Sequence, residues 1–130
     1  MSFTVLLALS LQQALLLDSA SIDHVANNLD YLTVYHPLNE LEYLLGGGGD
    51  IEIRGYGTIR IPTSSGKYLT MPGAAYCPDM PTNLVSLRKL MIAGVFFDSL
   101  RMILRKANGH GVYRVADKYD QFVLHEYQPR

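Results

Sequence analysis

The sequence predicts a small all-β barrel on three observations. Short apolar or alternating segments recur along the chain, bounded by Gly, Pro, Asn or Ser. Only one stretch carries helical spacing, about residues 86 to 93. The 130 residues, 48% hydrophobic and 18% charged, suffice for one packed core and exclude a globally disordered chain.

The first segment, MSFTVLLALSLQQALLL, holds no charge. It fits two strands, Phe3 to Leu9 and Gln12 to Leu17, joined near Ser10. It also fits a helix, since Leu and Ala favour one. A secretory leader needs a basic start, but the first Lys or Arg is Arg54, and Gln12 and Gln13 interrupt the apolar run. Leu15-Leu16-Leu17-Asp18-Ser19-Ala20-Ser21 switches sharply from apolar to polar, as a buried strand does on entering a loop. Asp23 to Asn28 reads as a turn or loop. Tyr31 to Tyr35 is β-branched and aromatic, a strand expected to stop before Pro37.

Leu38 to Leu45 runs into Gly46, Gly47, Gly48 and Gly49. Ile51 to Arg54 and Thr58 to Ile61 alternate apolar with polar, and Gly55-Tyr56-Gly57 marks a bulge or bend. Ser64-Ser65-Gly66 is a turn. Lys67 to Met71 and Ala74 to Cys77 read as two short strands separated by Pro72-Gly73, and Pro78 to Pro81 as a loop. Asn83 to Ser86 opens the helical pattern; Leu87, Leu90 and Met91 form its apolar stripe, and Gly94 stands at the C-cap. Val95 to Asp98, Met102 to Arg105, Val112 to Val115 and Phe122 to Glu126 are further strands, with Asn108-Gly109 turning between the second and third.

Several function classes are excluded by composition. The net charge of −1 gives no bulk positive field for nucleic acid. The single Cys77 rules out an internal disulfide or a thiolate zinc site, and it reads as a buried apolar residue beside Pro78. The four histidines form no ligand-spaced pair, and His24 reads as a packed or hydrogen-bonded loop residue. Arg101, Arg105 and Lys106 read as a solvated face. No apolar run approaches the roughly 20 residues of a membrane-spanning helix.

Three features stand in a telling order: Leu16-Leu17-Asp18-Ser19-Ala20, then a glycine-rich hairpin tip from Leu44 to Ile53, then Pro81-Thr82-Asn83-Leu84-Val85-Ser86 before a short helix. This order resembles the retropepsins, the retroviral-type aspartic proteases. Leu11 to Leu15 resembles the strand leading into that family's catalytic turn, which favours strands at the N-terminus. His24 six residues after Asp18, the Gly55-Tyr56-Gly57-Thr58-Ile59 strand and the Pro78 to Ser86 stretch resemble the protease region of copia-type retrotransposon Pol polyproteins.

The resemblance implies a retropepsin-like small closed β-barrel with a Gly-rich flap hairpin and one short helix. Residues 1–100 would be the barrel, half of a symmetric homodimer, and 101–130 a C-terminal β extension, the start of a pre-integrase segment. It implies an aspartic endopeptidase processing a retroelement Gag-Pol polyprotein. Asp18, Ser19 and Ala20 would form the catalytic turn. Gly46 to Gly49, Ile51 and Ile53 would form the flap and substrate channel, and Leu84, Val85 and Ser86 a structural turn beside the site. No metal or other cofactor is expected. The expected partners are a second copy and a peptide or polyprotein substrate, with no membrane and no nucleic acid for this domain alone, in an intracellular, cytoplasmic setting. A second Asp-Ser pair, Asp98-Ser99, precedes Leu100-Arg101, too bulky for the tight turn. Ala20 stands where the family has Gly, and Ile22 where it has Ser or Thr; a methyl at 20 crowds the turn if φ is positive there. The alternative reading is a catalytically inactive barrel serving as a dimerisation or scaffold module, or a transposon remnant.

Overall fold

The computed structural model describes residues 2–44, 50–63 and 65–126. Strands dominate, as the all-β reading requires. In chain order they are β1 (Ala14–Asp18), β2 (Val25–Ala26), β3 (Leu32–Leu44), β4 (Ile51–Pro62), β5 (Tyr68–Tyr76) and β6 (Asn83–Ser86). Then follow β7 (Val95–Asp98), β8 (Ile103–Lys106), β9 (Gly111–Arg114), β10 (Ala116–Lys118) and β11 (Gln121–Glu126). Eight strands share one sheet, in the order β10-β11-β1-β6-β2-β5-β4-β3, and β7-β8-β9 form a second. No helix among the described residues is long and apolar enough to cross a membrane.

The N-terminal strand expectation is corrected. Residues Phe3–Gln13 form helix α1, and the strand begins at Ala14. Leu and Ala favour helix, and Ser2 caps the first turn by accepting the Val5 N–H at 3.2 Å. Helix α2 is Leu87–Ile92, so the described residues form two α-helices, and a 3-10 turn at Leu29–Tyr31, where one helix was expected. Gly94 ends α2 at φ 86° as expected. Asn83 to Ser86 does not open this helix: it is β6, and Ser86 is the N-cap.

Three further differences concern strands. The polar stretch 23–28, read as a turn or loop, contains the buried β2, which pairs with β5 and β6. The two segments around Pro72-Gly73 are one strand, β5, with Gly73 at φ 71°. Strand β3 runs through Pro37, where a stop was expected. It is the last strand of its sheet, so a missing N–H on its open side removes no ladder bond. Its register with β4 slips twice, and Val34, at φ 51°, lies in the first slip. Opposite this irregular stretch, a Cβ on Gly55 would lie 2.6 Å from the His36 carbonyl oxygen, so only glycine fits.

The core explains the order of the sheet. Ala14 to Leu17 are all buried because β1 runs between β11 and β6. Leu15 and Leu17 share one cluster with Ile59, Met71 and Val85, and also with Leu104, Val115 and Leu124 from beyond residue 100. On the far side of β1, Leu16 packs with Ala14, Val123 and Leu11.

Candidate active site

Asp18 sits at the exit of β1, and its neighbours fix where it points. The parallel ladder with β6 sets Asp18 opposite Ser86. The antiparallel ladder with β11 ends at Leu16, so Asp18 emerges beyond the last partner on that side. The carboxylate is half-buried, and its Oδ1 accepts the Ala20 N–H at 2.8 Å, closing a tight turn. Ala20 is not among the residues at positive φ, so its methyl carries no left-handed strain. Ser19 is exposed beside it, as are Ala20 and Ile22.

Buried Ser86 and His24 fasten the loop after Asp18. The Ser86 hydroxyl donates to the Ser21 carbonyl at 2.7 Å and accepts the Lys89 N–H at 3.1 Å, tying the loop to the start of α2. The Ser86 N–H donates to His24 Nδ1 at 3.0 Å. His24 is therefore the packed, hydrogen-bonded residue expected. Burial, with Lys89 nearby, lowers its pKa from 6.5 to about 4, against the opposing pull of Asp23. Lys89 bridges outward, 3.6 Å from Asp23 and donating to the Gly73 carbonyl at 3.1 Å.

A cleft of about 620 Å³ opens at Asp18. Asp18 and the loop through Ala20 and Asp23 line one part of it. The β3–β4 hairpin lines another, through Glu42 and Leu44 on one arm and Ile51 and Ile53 on the other. The structure thus brings Asp18, Ala20, Ile51 and Ile53 around one space. Leu84 lines it too, while Val85 and Ser86 are buried behind it. Gly46 to Gly49 lie outside the described residues; the arms that carry them pair from Glu42↔Ile53 to Leu44↔Ile51.

Sequence reasoning missed several contributors. Glu42, Tyr56 and Met80 line the cleft, and Asn83 braces it from below the surface. A lone acid inside the apolar run Leu41 to Leu45 was a signal for Glu42. The Tyr56 hydroxyl donates to Glu42 Oε1 at 3.0 Å. Burial first, then the bond to Glu42 and the nearby negative charge, push the Tyr56 phenol up to about 12. Asn83 is 0% exposed; its Oδ1 accepts the Asn27 N–H at 2.6 Å and its Nδ2 donates to the Ala14 and Gln12 carbonyls at 3.0 and 3.2 Å. It stands in the Pro81 to Ser86 motif, but nothing local shows that it joins Ala14 to Asn27.

Other candidates fall to structural roles. Asp98 accepts the Arg101 and Leu100 N–H groups and faces Arg101 and Arg105 at 3.8 and 3.4 Å. These partners, the Arg101 N–H foremost, hold its carboxyl below the usual range. Cys77 is fully buried, and burial, with Asp23 and Asp79 adding charge, pushes its thiol up to about 12, far from a nucleophile. Among the described residues no three His, Cys, Asp or Glu side chains gather as a metal site.

Residues 15–95, well over half the chain, match the family model for the Pol polyprotein, beta-barrel domain. No curated protein matches, and no solved structure matches. The matched span runs from the start of the strand carrying Asp18 to the start of β7, and so contains every residue that lines the cleft. The chain belongs to the Pol polyprotein β-barrel domain family.

Proposed function

We propose that this Pol polyprotein β-barrel domain is a retropepsin-type aspartic endopeptidase. It acts as a homodimer that processes a retroelement Gag-Pol polyprotein. The observation that carries this reading is the placement of Asp18: a carboxylate at a strand exit, held in a tight turn, opening on a cleft whose opposite lining is a hairpin with apolar arms. One chain supplies one such acid, since Asp98 is committed to two N–H groups and two arginines. The other acid comes from a second copy, with the exposed Ser19 at the contact between the two turns. Residues 1–100 make the catalytic half and 101–130 its extension, whose β11 covers one edge of β1.

In the dimer, two carboxylates about 3 Å apart cannot both ionise, so the pair shares one proton. The ionised member takes a proton from water as the oxygen attacks the scissile carbonyl; the protonated member gives its proton to the carbonyl oxygen. The gem-diol collapses as the C–N bond breaks: the carboxyl that gained the water proton gives it to the leaving nitrogen, and a gem-diol hydroxyl returns its proton to the other carboxylate, which restores the shared-proton pair. The hairpin arms hold the peptide and exclude water.

The test is incubation of the folded chain with the parent polyprotein or a peptide library at mildly acidic pH, with and without pepstatin. Cleavage that pepstatin blocks, that Asp18→Asn abolishes, and that rises more steeply than linearly with enzyme concentration is the expected result. Asn keeps the oxygen that accepts the Ala20 N–H, so this variant folds. No cleavage by a folded dimer overturns the reading, and cleavage by a strictly monomeric chain overturns the dimer.

A further inference from the structure

We propose that Glu42 selects a basic side chain in the bound peptide, so the cleft takes an apolar segment that also carries a lysine or arginine. This rests on the cleft being the peptide site. A compact space of this volume is about 10 Å across, the length of about three extended residues, so the basic residue lies within about that distance of the bond cut.

Most of the lining is apolar: Val25, Leu44, Ile51, Ile53, Met80 and Leu84. Among the described residues three carboxylates interrupt it, from Asp18, Asp23 and Glu42, and no lysine or arginine lines the space. Their situations differ. Asp18 is the catalytic acid of the proposed reaction. Asp23 already has a cation, Lys89 at 3.6 Å. Glu42 forms no ion pair among the described residues; its partner is the neutral Tyr56 hydroxyl at 3.0 Å. That phenol keeps its proton across any working pH, so it remains a donor and orients the carboxylate without neutralising it. The pairing Glu42↔Ile53 sets the carboxylate on a hairpin arm, among apolar side chains. Glu42 is exposed at the rim of the cleft, so its pull on a cation weakens with salt, and its remaining lone pairs accept the N–H groups of an ammonium or guanidinium. An acidic side chain beside Glu42 meets a like charge, which adds discrimination by repulsion.

Peptides matched in sequence, with lysine, methionine or glutamate at each position around the cut, test this directly. The wild-type chain is expected to cleave a lysine peptide with kcat/KM at least about fivefold above its methionine counterpart, with the gap narrowing as salt rises. Glu42→Gln, which keeps the acceptor for Tyr56, should erase that gap, and Glu42→Lys should favour the glutamate peptide. Peptide binding to the folded Asp18→Asn protein gives the same ranking without turnover. Cleavage with no lysine preference, or a preference that survives Glu42→Gln, overturns this inference and leaves the peptidase reading intact. Lysine-selective, Glu42-dependent binding without cleavage by the wild type supports it and overturns the peptidase. Neither binding nor cleavage overturns both.

Discussion

Acidification from about pH 7 to about pH 5 should cost the fold about 2 kcal/mol through His24 alone. This histidine is 3% exposed, and its Nδ1 accepts the buried Ser86 N–H, so protonation strands a charge and turns an acceptor into a second donor. Burial is the main cause of its pKa falling from 6.5 to about 4; Lys89 adds to it and Asp23 opposes it. In the unfolded chain the ring binds a proton near 6.5, in the folded chain only near 4. Between those values the unfolded state holds more protons, so stability falls as pH falls, and the loss approaches about 3 kcal/mol below the folded pKa. A domain of this size has about 5–15 kcal/mol in total. The assay is urea denaturation at both pH values for the wild type and His24→Asn. Asn places an oxygen near the Nδ1 position, keeps the Ser86 bond and cannot titrate. The wild type should lose about 2 kcal/mol more than the variant over this interval. His125, also lowered chiefly by burial, contributes with the same sign to both proteins and cancels in the comparison. Equal losses in the two proteins would refute the reasoning.

Asn83→Ala orphans the Asn27 N–H, while the Ala14 carbonyl keeps Thr82 at 3.3 Å, so a loss of about 2–3 kcal/mol is expected by urea denaturation. A loss under about 1 kcal/mol would show the network to be dispensable. Gly55→Ala drives a methyl into the His36 carbonyl and the Tyr35 ring; thermal melts should show destabilisation of about 2 kcal/mol or more, and an unchanged midpoint would mean that β3 moves aside. Cys77 should react with a disulfide reagent at least about a hundredfold more slowly in the folded chain than in urea, since both burial and its raised pKa withhold the thiolate. Rapid labelling of the native protein contradicts that placement.

Where local chemistry and tertiary packing agreed, the elements were readable. Alternation at Ile51 to Arg54 and Thr58 to Ile61 marks β4, and Gly94 and Gly109 mark their turns because their φ values, 86° and 92°, favour glycine. Where they diverged, reading failed in both directions. Residues Phe3–Gln13 are helical because their own propensity and the Ser2 cap prevail, although the likeness of the following motif favoured strands. Pro37 did not end β3 because the strand lies at a sheet edge, a fact that no neighbouring residue encodes.

The sequence by itself determined the strand-rich class, the apolar run that carries Asp18 to its turn, and the uncharged burial of Cys77, because each follows from side chains within a few positions of one another. Only tertiary structure decided that Asn83 stitches Ala14 to Asn27, that Ser86 and His24 hold the loop, and that Glu42 and Tyr56 share the cleft of Asp18. These contacts join residues from 14 to 86, and periodicity reports which face a side chain takes, never which distant strand it meets.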